Sequence, residues 1–421
     1  MALTSIGDIN FPRDTTIQSL LEAHQQTNAY LAAIANESLQ STLTDYASIQ
    51  RIVRSGYASK IFAIGDQINV NWTDTVTNTT YEWPFDVVHF DDVELEDGEV
   101  VPGMFLQAHY ATRYAIMFDQ SEALYYCDEA LPAGTYYFTI GTSWGNNCVS
   151  GTSYYFTTTV DIPAGGQIRI GVASENNSWA APDTAVSNWR VWTYSSPSST
   201  SSLEGAGLEL TEGTEGTDLG TTTTTIKYAD SGINNLQRAG YGYNRWSQSA
   251  YRQYLNSSAA IGNWWSPQNN FDRPPSQLGT YPGFMSGFEE DFLNILKPVK
   301  VTTALNTVSD SEIGTQEDTY DTFFLPSLEQ LFITPQLSGV EGDAWDYWKR
   351  ATGSTTTIKT NVTGAFPITY ALESHTSAQS VRLRSATRGG ASHAWYVYSS
   401  GGVYSYGASN ANRSAPACVV C

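Results

Sequence analysis

The chain has 421 residues and a formal net charge of −21, from 42 acidic against 21 basic side chains. A balance so negative repels phosphate backbones, and no Lys/Arg cluster offsets it, so nucleic acid is excluded as an expected partner. Aromatic residues make up 13% of the chain and charged residues only 15%, the mix of a β-rich fold with a polar aromatic surface rather than of a disordered chain.

The length exceeds what one hydrophobic core usually supports, so two or three domains are expected. Residues 14–40 read as a helix with Asp14 as N-cap. Its apolar stripe of Ile17, Leu20, Leu21, Leu31, Ile34 and Leu39 is interrupted by His24 and Asn28. Such a stripe must be buried, either against copies of itself or on the chain's own globular part. A second helix is predicted from Asp45 to Arg54, and residues 1–57 together are expected to serve oligomerisation or attachment, as a trimer.

From Ile61 the pattern changes to strands: IFAIGDQINVNW, YEWPFDVVHF and VVPGMFLQAHY. Short aromatic strands follow, including GTYYFTIGTSW, SGTSYYFTTTVDIPAGGQIRIGV and SNWRVWTYSS, whose spacing suggests a β-sandwich over residues 126–194. The stretch from 195 to 226 is rich in Ser, Thr and Gly and too poor in large apolar side chains to build a core, so it reads as an exposed arm or linker. Beyond it, Tyr243, Trp246, Ala250, Tyr251 and Leu255 fit a short helix packed by one face. A further helix is expected at Phe288 to Leu296, and Phe323, Phe324 and Leu325 form a strand running into a short helix capped by Ser327.

Four cysteines are too few for a disulfide framework in a chain this long. Cys127 and Cys148 flank a strand-rich stretch and could meet across a sheet, a pairing the sequence leaves open. Cys418 and Cys421 end the chain as C-x-x-C with no second pair beside them, which favours buried thiols over a zinc site.

The last segment, Val381 to Cys421, interleaves two kinds of position. Leu383, Arg384, Ala386, Arg388, Ala391, Ala394, Trp395, Val397, Gly401, Val403, Ala408, Ala411, Arg413 and Pro416 look like scaffold. The others are Thr387, Gly389, Gly390, Ser392, His393, Tyr396, Tyr398, Tyr404, Ser405, Tyr406, Gly407, Ser409, Asn410, Asn412 and Ser414. This second set holds no Lys, Glu, Gln, Met or Trp, and each member has a codon reachable from AAC or AAT by changing only the first two bases. That is the pattern adenine-directed mutagenesis leaves. Tyr, Ser, Gly and Asn are also what binding loops favour, because tyrosine gives stiff amphipathic contact area and the small polar residues adapt their hydrogen bonds. The plain alternative is a Gly/Ser/Tyr-rich β-hairpin.

With these residues in view, the chain resembles the variable proteins of diversity-generating retroelements, and more widely a phage and prophage domain akin to the formylglycine-generating-enzyme version of the C-type-lectin-like fold. The resemblance runs through IFAIGDQI, FDVVHF, MFLQAHYAT, GYNRWSQSAYRQYLN, DTFFLPSLEQLF and the RLRSATR, AWYVYSSGGVY and NRSAPACV pieces of the terminus. It implies an α+β, mostly β architecture with N-terminal helices and a discontinuous C-type-lectin-like domain, residues 58–125 and 227–421, interrupted by the inserted β-sandwich. It also implies that the fifteen positions of the second set form a ligand-binding surface, with Trp395 as an anchor beneath it.

Other chemistry finds little support. The EPN, QPD and WND motifs of calcium-dependent lectins are missing, and the acidic residues at Asp91, Asp92 and from Glu94 to Glu99 read as solvated, so no metal or other cofactor is expected. The five histidines, at 24, 89, 109, 375 and 393, are scattered and accompany no G-x-S-x-G or H-E-x-x-H motif. Glu289 and Glu290, adjacent on a helix, point about 100° apart and make poor glycosidase partners.

The leading expectation is thus a receptor-binding protein on a phage virion, recognising a host cell-surface protein or glycan and contacting other virion proteins. A structural decoration or fibre protein without a ligand is the alternative, and a glycan-acting enzyme the third. The opening MALTSIGDINFPRD has no basic start followed by an apolar run, and nowhere do about 18 apolar residues follow one another. Membrane insertion is therefore not expected, and the virion is the expected location of a protein made in the bacterial cytoplasm.

Overall fold

The computed structural model describes residues 45–120, 125–127, 129–140, 151–172, 189–196, 199, 201–221, 242–268, 272, 274–307, 310 and 313–421, with Ser5–Ile6, Ile9–Asn10, Ser19 and Glu22–Gln26 from the first stretch. Most of the 14–40 helix lies outside the described residues; Ser19 and Glu22–Gln26 are helical and exposed. The described fold is mostly β, with few helices and no closed barrel.

Helix α1 (Tyr46–Arg54) starts at Asp45, whose carboxylate accepts the Ala47 N–H at 3.1 Å and so satisfies one of the helix's open donors. Ile49 and Val53, one turn apart, form its buried face. A helical turn, α2 (Ala58–Ile61), leads to three long strands, β1 (Gln67–Asp74), β2 (Thr79–Glu94) and β3 (Val100–Ala108), and to the short β4 (Ile116–Met117). The three long strands pair antiparallel in sequence order. The β2–β3 register shifts between Val87 and His89, a bulge that turns both Val87 and Val88 inward.

The middle of the chain supplies β5 (Tyr125–Tyr126), β6 (Gly134–Thr139), β7 (Ser153–Thr158), β8 (Gln167–Val172), β9 (Trp189–Tyr194), β10 (Leu208–Glu209), β11 (Thr211–Glu212) and β12 (Thr217–Thr221). They form two four-stranded sheets, ordered β10-β9-β8-β5 and β11-β7-β6-β12. The stretch expected as a bare arm from 195 to 226 therefore differs: part of it supplies an edge strand to each sheet and a third strand, β12, parallel to β6. Main-chain hydrogen bonds hold these strands, which explains how a segment with so few large apolar side chains joins a sheet. Leu219 is its one large buried apolar side chain among the described residues.

The chain then forms α3 (Ala250–Leu255), α4 (Glu290–Asn294), the hairpin β13 (Val299–Ala304) and β14 (Gln316–Asp321), β15 (Phe323–Phe324), α5 (Asp346–Ala351), a short hairpin of β16 (Thr369–Tyr370) and β17 (Ala378–Gln379), and five terminal strands. These last are β18 (Val381–Ala386), β19 (His393–Val397), β20 (Val403–Gly407), β21 (Ala411–Asn412) and β22 (Ala417–Val420). α3 is shorter than expected and follows a 3-10 turn at Trp246–Gln248, yet Tyr243, Trp246, Ala250, Tyr251 and Leu255 are all buried. The segment after Leu325 is a turn rather than a helix: the Ser327 hydroxyl accepts the Gln330 N–H at 3.0 Å, but no helical run follows.

The main sheet has the order β15-β22-β3-β2-β1, all antiparallel. Its second strand is the C-terminal strand, with Cys418 opposite Phe323 on one side and Leu106 on the other. Cys418 and Cys421 are buried free thiols, as is Cys127; Cys148 lies outside the described residues. α1 packs against β3 and β22, and Gln50 Nε2 donates to the Cys421 carbonyl at 2.8 Å. Residues 46–54 thus belong to this core, and the boundary expected at residue 57 moves to the start of α1. One aromatic cluster fills the sheet's inner face, where Trp83, Phe85, Phe284, Phe288, Phe292 and Phe323 meet at centroid distances of 5.1–6.3 Å.

Candidate functional site

The site is the three-stranded sheet β18-β19-β20. Strand pleating puts alternate side chains on opposite faces, and the register decides which meet. Tyr396 pairs with Tyr404 on one side and with Arg382 on the other, and Ala394 pairs with Tyr406. Trp395 pairs with Ser405, and Val397 with both Val381 and Val403. Trp395, Val397, Val403, Val381 and Leu383 are all buried in the core, so the face carrying the tyrosines is the one turned away from it.

On that outer face Tyr396 sits at the centre of a ring cluster, 6.2 Å from Tyr398, 6.5 Å from Tyr404 and 5.6 Å from Tyr406. Tyr398 and Tyr406 are 46% and 45% exposed, which is high for side chains of this size, while Tyr396 and Tyr404 are half-buried between their neighbours. The turn joining β19 to β20 closes at Gly401, whose φ of +81° suits glycine. A Cβ there would lie 2.2 Å from the Phe366 carbonyl oxygen. A loop borders the sheet, because the Asn361 N–H donates to Val403 O at 2.8 Å and the Val403 N–H to Val362 O at 3.0 Å. It brings Thr363 Oγ1 within 2.6 Å of the Tyr404 hydroxyl, adding to the patch a residue that sequence reasoning did not select.

The rest of the expected surface divides by burial. Gly389 is exposed, and Thr387, His393, Ser405, Ser409, Asn410 and Asn412 are half-buried. Gly390, Ser392, Gly407 and Ser414 are buried, which corrects their assignment to a contact surface. Ser414 has an internal role: its hydroxyl lies 2.9 Å from the Tyr251 OH and its N–H donates to Thr112 Oγ1 at 3.1 Å. Ser392 is fully buried, with its hydroxyl 3.1 Å from His393 Nδ1. Burial, helped by the nearby Arg382 cation, lowers the His393 pKa. On the scaffold side, Ala411 is exposed, whereas Trp395, Leu383 and Val397 are buried.

Beside the patch, on the same face of the sheet, lies Arg382, fully buried, its guanidinium 5.9 Å from the Tyr396 ring and 6.0 Å from the Tyr406 ring. Burial lowers its pKa to about 10, so it stays charged at neutral pH. Sequence reasoning placed Arg384 in the scaffold but passed over Arg382 two residues earlier. The available signal was two charged residues at alternate positions of an otherwise apolar strand, VRLR.

Among the described residues no three His, Cys, Asp or Glu side chains come together as metal ligands. Glu94 is engaged by Lys300 at 3.3 Å, and the same ammonium reaches Asp318 at 3.2 Å. Two of the histidines, His109 and His375, both contact the Tyr110 ring, with centroids at 4.8 and 4.0 Å. His109 Nδ1 lies 2.8 Å from Asp86, and His375 stacks on Tyr110.

The fold and site define a mostly β protein presenting a tyrosine patch on a sheet close to its C-terminus. Residues 221–420, just under half of the chain, match the model of a domain of unknown function, DUF6273. That stretch begins at the last residue of β12 and contains the whole tyrosine-bearing sheet. No curated protein and no solved structure matches the chain.

Proposed function

We propose that this protein is the diversified receptor-binding protein of a phage or prophage, with a C-type-lectin-like domain whose outer sheet face engages a host-surface protein or glycan. The observation that carries the reading is the cluster of Tyr396, Tyr398, Tyr404 and Tyr406 on one face while Trp395, Val397 and Val403, at alternate positions of the same hairpin, are buried. Closely spaced tyrosines, two exposed and two half-buried, supply stiff contact area and hydroxyls at small entropic cost, the properties of paratope surfaces. All four have codons of the type that adenine-directed mutagenesis reaches.

The N-terminal stripe from Ile17 to Leu39 would gather copies of the chain, as a trimer, so that weak individual contacts act together. Sedimentation of the full chain beside a truncation starting at Asp45, which keeps α1, tests this, and a monomeric full-length protein contradicts it. The diversified reading is tested in the DNA next to the gene. A near-identical copy of its last bases, differing at adenines and lying beside a reverse-transcriptase gene, is expected; a locus with neither refutes it.

A further inference from the structure

Two fully buried side chains hold the candidate variable segment, and both do so through its main chain. Arg382 Nη1 donates to the carbonyls of Ala394 and Tyr406, each at 2.9 Å, and Nη2 to those of Gly407 at 3.0 Å and Asn410 at 3.1 Å. Asn244 Nδ2 donates to Gly390 and His393 at 2.7 Å each and more weakly to Thr387 at 3.3 Å, while its own N–H reaches Ala391 O at 2.9 Å. Of these eight acceptors, six belong to the fifteen positions picked out by codon type: Thr387, Gly390, His393, Tyr406, Gly407 and Asn410. Every one is a peptide carbonyl, a group that stays the same whatever side chain the residue carries.

Asn244 is itself held in orientation. Its Oδ1 accepts from Asn306 Nδ2 at 3.0 Å, and that amide also donates to Asp310 Oδ2 at 2.6 Å. Asp310 receives the Tyr243 hydroxyl, and the Tyr243 N–H donates to Asp119 at 3.0 Å. These residues are all buried, so the fork is fixed from behind by the domain and presents two N–H donors towards the loop. A buried guanidinium is costly unless its donors are satisfied, and here carbonyls of β19, β20 and the turn after β20 satisfy four of the five, leaving Nε alone without a partner among the described residues.

We propose that Arg382 and Asn244 are positioning residues that make residues 387–410 a frame whose backbone is set independently of its side chains, so that display residues can be exchanged without refolding. The inference rests on the display-surface reading, but its test needs no ligand, so the two can fail separately. Hydrogen exchange of the full chain is compared for three variants. Arg382→Met and Asn244→Leu keep most of the buried volume and remove the donors. The third variant changes Thr387, His393, Tyr406 and Asn410 together to Ala, altering four held residues and none of their carbonyls.

The two clamp variants are expected to lose amide protection across 387–410 while β1, β2 and β3 keep theirs. The fourfold Ala variant is expected to keep the loop protection and to melt within about 3 °C of the parent. A clamp variant that retains loop protection overturns the proposal, because space-filling alone would then suffice. If a clamp variant fails to fold, the fourfold variant decides: loss of protection over 387–410 there shows that the side chains, not the clamps, set the backbone.

Discussion

Replacing Trp395 separates the supporting face of the candidate sheet from its display face. Trp395 is 3% exposed and belongs to the main core, one residue from the half-buried Tyr396. Truncation to Ala removes a fully packed indole from a strand paired on both sides, and large-to-small changes of this kind cost about 3–5 kcal/mol. At about 2–4 °C per kcal/mol for a domain of this size, the melting temperature should fall by about 6–20 °C. Trp395→Phe should behave differently. The indole N–H is buried with no hydrogen-bond partner among the described residues, so the Phe variant gives up packing but also removes an unsatisfied donor. An unpaired buried donor costs about 1–3 kcal/mol, which offsets much of the lost contact and leaves Trp395→Phe within about 1 kcal/mol of the parent. Thermal and urea unfolding followed by circular dichroism measures both variants. Equal destabilisation by Phe and Ala would mean that the N–H has a partner, and a loss below about 1 kcal/mol for Ala would mean that the face is not core.

Two histidines should give stability opposite pH dependences. The hydrogen bond to Asp86 raises the His109 pKa against desolvation, so its contribution is fully present below the unfolded value of about 6.5 and is lost as pH rises through the higher folded value. Burial lowers the His393 pKa, so its contribution holds above about 6.5 and is lost as pH falls through the lower folded value. NMR titration of the ring protons should place the two on either side of the free-histidine value, and coincident titrations would contradict both assignments. Burial also pushes the thiols of Cys418 and Cys421 up, and that of Cys127 to about 12. All three should react with a disulfide reagent only as fast as the protein opens, and rapid labelling of the native protein would show exposure instead.

Much of this was legible where pattern and burial coincide. The alternation in AWYV predicts Trp395 and Val397 inside and Tyr396 outside, and the helix expected from Asp45 to Arg54 is present as α1. Three things were not legible, each for a physical reason. The strands between Leu208 and Thr221 are held by main-chain pairing, which apolar content does not report. Ser392 and Ser414 share the codon type of the surface residues, but codon type says how a position can change and not where its side chain points. Arg382 and Asn244 act on carbonyls remote in sequence, 12 to 28 residues away for the arginine and more than 140 for the asparagine; VRLR marks the arginine as unusual, but a linear pattern does not say which carbonyls either side chain meets.

The central claim, that the four tyrosines form a display surface, meets its most direct test in one variant with Tyr396, Tyr398, Tyr404 and Tyr406 all changed to Ser. Its labelled form is applied to a panel of bacterial cells beside the parent protein, and both are melted in parallel. The parent should bind at least one strain and the variant none, since aromatic anchors carry most of an interface's energy, while the melting temperature falls by less than that of Trp395→Ala. A variant that still binds, or that loses as much stability as Trp395→Ala, would contradict the account.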